Sequence, residues 1–554
     1  MKRMISIILT VVMLCAVSMP AMNAVAAANE RTPVVYIRGN GDGIFYPDNK
    51  LVVTQFEEVS LGGEEGVNKD IIVETAVNIL KPFVLEGMLF DKWDTYGKVI
   101  YDEISPLFVD AGLDENGNPK NGTGVLKATA DESVAMAKSA YNYNVNASYQ
   151  FAYDWRLSPY DHVDRLHEYI LQVLSVTGQK QVSMYARCMG GSLLMAYLEK
   201  YGHLGYVKNV LFCDVLSNEA TVISKTFSGQ IEFDAKLVER YAGQVDFCGK
   251  TGEGFGFVFG DVLNEIVSKT MNFFTQISVT DKALDGVEEL YNKLYKALIP
   301  ALLHATGMAT QVNYWTEIAE EDMDAALDLV FGKKGSELRT KYAGLIEKIE
   351  YYRKHISSDI DGFYEALDSK EIHYAFVAKY GFMNLPITAD ADLQSDALAS
   401  LKHVAYGATT APIGKTLSDK YIAGVSEENR KYISPDKVVD LSTCVSPDTT
   451  WILKNAHHNQ IDCLIPIIYA FLNGTEENID TVYAKTGFKQ CMVFDYDTLT
   501  ASNMTADNCA ELEFMTRATE KPTTETRLVS FMRWLTMVFD FIARLFRGEI
   551  SFGK

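Results

Sequence analysis

Apolar runs and helical patterns alternate along most of this chain, and that alternation limits what it can fold into. "TPVVYIRGNGDGIF" (32–45), "SYQFAYDWR" (148–156), "KQVSMYARCM" (180–189) and "YVKNVLFCDVL" (206–216) each read as a buried strand ending in a loop. Between them, residues 70–112 carry helix-like apolar spacing. Val163, Leu166, Tyr169, Ile170, Val173 and Leu174 also recur at helical intervals, and "GGSLLMAYLEKYG" (190–202) is a helix closed by Gly202. Strands separated by helices pair in parallel, because a parallel connection needs a crossover. An α/β fold with a mostly parallel central sheet flanked by helices is therefore expected. From about 240 to 370 the strand signal stops and helical patterns take over, which predicts an inserted helical cap. "EIHYAFVAKYGF" (371–382) and "DTTWILKN" (448–455) resume the strands.

The expected organisation is a signal peptide at 1–26, a first core segment at 27–240, the cap at 241–370 and a second core segment at 371–475. A C-terminal extension follows at 476–516, and a linker with an amphipathic helix at 517–554. The signal-peptide reading rests on Lys2 and Arg3, the apolar run 5–17 and the small residues near Ala26. It implies a secreted or extracytoplasmic protein. A formal net charge of −22 argues against a nucleic-acid partner, which needs a positive surface. Beyond residue 26 the cysteines are Cys188, Cys213, Cys248, Cys444, Cys463, Cys491 and Cys509. An odd number in an exported chain leaves at least one thiol, and the other six could pair or stay buried as thiols. No CxxC or Cys/His zinc spacing occurs, so no metal or cofactor is expected. Asp114, Asn116 and Asn118 have calcium-loop spacing but lack the glycine and closing glutamate, so a surface turn is expected there.

The chemistry concentrates at "MYARCMGGS" (184–192). A strand runs into Cys188, flanked two places either side by the small residues Ala186 and Gly190. This is the small-x-nucleophile-x-small pattern of a nucleophile elbow, where Cβ atoms at those flanking positions would collide. The following helix would aim the Met189 N–H at an oxyanion. A small buried residue is the plain alternative for Cys188, and Ser192, one helical turn onward, is the poorer nucleophile. In "RGNGDG" (38–43) the Asn40 N–H is the candidate for a second oxyanion donor, with Gly39 allowing close approach. In "YISPDKVVDLSTCVSPDTTWILKNAHHN" (432–459), an acid followed some twenty residues later by a strand and a histidine fits the order nucleophile–acid–base. Asp436 and His458 are the expected acid and base, with Asp440 and His457 as close competitors.

Four of these segments resemble the lecithin:cholesterol acyltransferase-like family of α/β-hydrolases. "FAYDWRLSPYDHVDRL" is similar to its Y-D-W-R segment, "ARCMGGS" to its G-H-S-M-G-G elbow, and "SPDKVVDLSTC" to its D-G-x-V acid motif; the Gly39-Asn40 loop matches its oxyanion loop. The resemblance spans roughly 32–220 and 371–465. It implies an α/β-hydrolase fold and an O-acyltransferase, esterase or lipase acting on lipid-like acyl esters through a Cys188–His458–Asp436 triad. The chain departs from the family pattern at four positions: Cys188 replaces Ser, Ala186 a Gly, Arg187 a His, and Lys437 the Gly beside the acid. Cysteine suits the same role, since a thiol of pKa about 8.5 yields a thiolate beside an imidazole and rests as a thioester after attack. Asp154, Trp155 and Arg156 are expected to anchor a loop. In "LVSFMRWLTMVFDFIARLFRG" (528–548) the polar residues make one stripe, Ser530, Arg533, Thr536, Asp540, Arg544 and Arg547. That predicts a helix lying in a membrane interface. The alternative from a different class is a non-catalytic surface or lipid-binding protein on the same fold.

Overall fold

The structure is a computed structural model that describes residues 32–39, 43–50, 52, 78, 92–125, 148–216, 219–231, several positions between 237 and 247, 297–386, 389–458 and 460–516. Residues 1–26, most of 241–296 and the helix expected at 528–548 lie outside the described residues.

Eight strands form the central sheet: β1 (Val34–Ile37), β2 (Tyr149–Phe151), β3 (Val182–Arg187), β4 (Val207–Cys213), β5 (His373–Tyr380), β6 (Thr450–Lys454), β7 (Cys491–Asp495) and β8 (Thr500–Asn503). Their order across the sheet is β8-β7-β6-β5-β4-β3-β1-β2. Every pairing is parallel except β7 with β8. All six strands expected from the sequence are present. The segment 476–516, read only as an extension, adds β7 and the antiparallel edge strand β8.

The inner strands are largely apolar because both faces of the sheet are covered there, whereas the edge strand β8 is polar and partly exposed. Side chains alternate between the faces. Leu211, Cys213, Ala375, Val377, Trp451 and Leu453 share one face with the helix Ile465–Leu472. Val210, Phe212, Phe376, Ala378 and Ile452 point to the other, into the main core. That larger core also takes in helices α1 (Val163–Thr177), α2 (Gly190–Tyr201), α3 (Thr221–Ser228) and α4 (Glu320–Phe331). The α1 spacing read from the sequence buries Val163, Leu166, Tyr169, Ile170, Val173 and Leu174 as expected. The helix ends at Gly178, whose φ of 69° lets its N–H reach the Leu174 carbonyl.

The described part of the expected cap, 297–370, carries no strand and is mostly helical. It is tied to the sheet layer rather than standing off it. The α4 residue Asp322 accepts from Ser224 Oγ (2.7 Å) and Lys225 Nζ (2.8 Å) of α3. Arg156 and Asp154 anchor a loop, as expected. The guanidinium makes a two-point pair with the Asp154 carboxylate (3.0 and 2.8 Å) and donates to the Asp110, Ala111 and Thr123 carbonyls. Asp114 caps a surface turn, its Oδ1 accepting from the Asn116 and Asn118 N–H groups.

Candidate active site

Cys188 occupies the turn between β3 and α2 with φ 51°, in the left-handed region that a non-glycine residue enters at a cost. The turn is held from three sides. The Cys188 N–H reaches the Cys213 carbonyl (3.4 Å), and its own carbonyl accepts from Gly191 N–H (3.0 Å) and Leu216 N–H (3.5 Å). Gly190 has the steric reason expected of it. A Cβ on Gly190 would lie 2.4 Å from the Arg38 carbonyl oxygen and 2.7 Å from that of Ile37. Both are backbone atoms at the end of β1, so they cannot swing aside. Gly190→Ala should therefore lower unfolding stability by about 3 kcal/mol, the upper range for overpacking. A denaturant midpoint equal to wild type would show that β1 can retreat.

The Cys188 side chain is only 1% exposed. Burial pushes its thiol well above the usual value. The Glu317 carboxyl, when ionised, adds to this, while the Met189 N–H and Arg187 pull the other way without reversing it. The group at rest is thus a thiol rather than the ready thiolate expected from the sequence. Met189 directly precedes α2 and turns its N–H toward the Cys188 sulfur. Asn40 lies outside the described residues.

His458 is fully buried in the loop beyond β6, and its Nδ1 lies 2.6 Å from Asp396 Oδ2. Asp396, not Asp436, is the carboxylate on His458. Backbone contacts lock the pair, with His458 N–H on the Asp396 carbonyl (2.9 Å). Asp396 Oδ1 accepts from the N–H groups of Leu398 (3.0 Å) and Ala399 (2.7 Å). Burial works to raise the Asp396 carboxyl. The His458 charge and hydrogen bond, with help from Lys379 and the Ala399 N–H, outweigh it and hold the group below the ordinary value.

Asp436 is engaged elsewhere. Its Oδ2 takes Lys454 Nζ (2.9 Å) and the Tyr380 hydroxyl (2.8 Å), and its Oδ1 takes the Ser434 hydroxyl and Val438 N–H. It is a buried ion-paired turn residue. Lys437 beside it adopts φ 60°, the conformation that favours the glycine it replaces. The competitor Asp440 caps another turn, accepting from Ser442 N–H and the Tyr421 hydroxyl. His457 is buried against Phe382, with its N–H on Gln460.

A second rank of charge joins the base to the elbow. Arg187, the last residue of β3, donates to the His458 carbonyl at 3.2 Å. Lys379 of β5 donates to the same oxygen at 2.8 Å and pairs with Asp214, just beyond β4. Sequence reasoning missed Asp396, Lys379 and Asp214. The available signal was position: Asp396 follows the strand recognised at 371–382, and Asp214 closes the one at 206–216.

Ser192 is buried and spent on Thr316 Oγ1 (2.6 Å). Among the described residues, Cys188, Cys213, Cys444, Cys463, Cys491 and Cys509 are all thiols, so none of these six is paired with another. Among the described residues, no group of three or more His, Cys, Asp or Glu is arranged to hold a metal, and no helix is long and apolar enough to cross a membrane.

No protein-family model matches the chain, and no curated protein matches it. A search of solved structures finds "The crystal structure of Tle4-Tli4 complex", at 10% sequence identity, covering 92% of this chain and 99% of that one. Its TM-score of 0.25 is too low to carry an argument about fold or function.

Proposed function

We propose that this chain is an α/β-hydrolase that forms a thioester on Cys188, with His458 as base and Asp396 as the acid that orients it. The observation that carries the reading is the buried Asp396–His458 pair, tied through Arg187 to a cysteine in a left-handed strand-to-helix turn. The three groups follow the ends of β3, β5 and β6 in the order nucleophile, acid, base, which is the chain order of α/β-hydrolases. The substrate class, lipid-like acyl esters, rests on the resemblance to lecithin:cholesterol acyltransferases.

In this mechanism Asp396 accepts a hydrogen bond from the Nδ1–H of His458, which holds the tautomer in which Nε2 acts as base. As the Cys188 sulfur bonds to the acyl carbon, its proton passes to Nε2. The carbonyl electron pair moves onto oxygen, where the Met189 N–H meets it. Collapse expels the alkoxide, which takes the proton from His458. Water or an acceptor alcohol then gives its proton to His458 and attacks the thioester; the C–S bond breaks, the Cys188 sulfur takes that proton back from His458, and acid or new ester is released.

The test is acid-quenched mass spectrometry of the full chain after mixing with p-nitrophenyl acetate. One acetyl group should appear on Cys188. No adduct, or an adduct that survives in Cys188→Ala, would refute the reading.

A further inference from the structure

Glu317 is a buried carboxyl that the mechanism above does not use. It lies in a stretch, 305–319, in which every residue is buried, and is itself 1% exposed. Its backbone is fixed on both sides: its N–H reaches the Tyr314 carbonyl, and its carbonyl accepts from Ala220 N–H at 2.9 Å. The neighbouring Thr316 hydroxyl meets Ser192 in the first turn of α2. Leu216, four residues before Ala220, donates to the Cys188 carbonyl. The Glu317 backbone thus sits between the elbow helix and the segment leaving β4. After burial, a charge on Glu317 is the largest influence on the Cys188 thiol, in keeping with that backbone placement.

Glu317 Oε1 is buried without a hydrogen-bond partner among the described residues. Such a group costs stability, and a charged one costs far more. Burial pushes this carboxyl well above its usual value, which favours its neutral form. A neutral carboxylic acid keeps an O–H to donate. An apolar site that holds a carboxyl neutral to serve an oxyanion is a known catalytic device.

Building on the thioester reading, we propose that Glu317 donates a hydrogen bond to the acyl carbonyl oxygen of the substrate as negative charge develops there. No proton is transferred in this contact, and the thiol proton still goes to His458. The stability cost of the unpartnered oxygen is then offset only when substrate is present.

The experiment compares Glu317→Leu and Glu317→Gln in the full chain, reading acetylation of Cys188 by p-nitrophenyl acetate together with the thermal midpoint. Glu317→Leu should cut the maximal acetylation rate about 100-fold, the loss of one oxyanion donor. KM should change little, and the thermal midpoint should hold or rise, because the unpartnered group is gone. Glu317→Gln keeps an uncharged donor and should stay within about tenfold of wild type. A Glu317→Leu protein as fast as wild type would overturn the assignment, as would a loss seen only in KM. Equal losses in both variants with a lowered thermal midpoint would make Glu317 structural. Absence of any adduct in the wild type would instead overturn the thioester reading itself.

Discussion

Cys188→Ala is expected to lose at least about 10⁴-fold in ester turnover while remaining folded. The size of the loss follows from removing a nucleophile whose partners have no other function in the cycle. The fold should survive because the change removes one sulfur from a turn that backbone contacts hold on three sides. A cavity of that size costs about 1 kcal/mol. Turnover and thermal midpoint measured on the same preparation decide the matter. Turnover at the wild-type level would place the chemistry elsewhere and leave Cys188 as packing. Cys188→Ser should retain part of the activity, since His458 can take a hydroxyl proton as it takes a thiol proton.

Asp396→Asn and Asp436→Asn should part company. At Asp396 the amide fits the same space, and its oxygen can still accept from Leu398 and Ala399. Its NH₂, however, would face His458 Nδ1 and donate to it. That forces the proton onto Nε2, the nitrogen that has to act as base. A fall of about 10⁴-fold in kcat is expected, with little loss of fold. At Asp436 the amide removes the charge opposite buried Lys454. Breaking a buried pair from one side costs about 3 kcal/mol, so this variant should be less stable, while its folded fraction turns over normally. Reversed outcomes would restore Asp436 as the acid. A pH effect follows from the same pair. Asp396 is held below the ordinary carboxylate value, so its contribution to stability is present above that value. It is lost as pH falls through the lowered one. Asp396→Asn should flatten that part of the acid limb.

The parallel sheet was legible in the sequence because it depends on local properties. Strands buried on both faces must be apolar runs, and parallel strands must be joined by crossovers. The six strands, α1, α2 and the elbow around Cys188 could all be read on those grounds. The elbow needs small residues at fixed offsets from its centre, and Gly190 against the Arg38 carbonyl shows why. His458 could be placed because it follows the β6 strand directly. The acid could not. The order nucleophile–acid–base leaves a long interval, and many carboxylates in it satisfy the order equally well. A motif resemblance favoured Asp436, but its carboxylate is taken by Lys454 and Tyr380. Only the folded chain brings Asp396 from the loop beyond β5 onto His458, 62 residues later. The same holds for Glu317 and Lys379. A charged residue in a helical stretch or on a strand looks exposed by composition, and its chemistry depends on which groups the tertiary fold sets against it. The thiol is the last such case. Sequence identifies a cysteine at an elbow, but burial beneath neighbouring segments decides that it rests protonated.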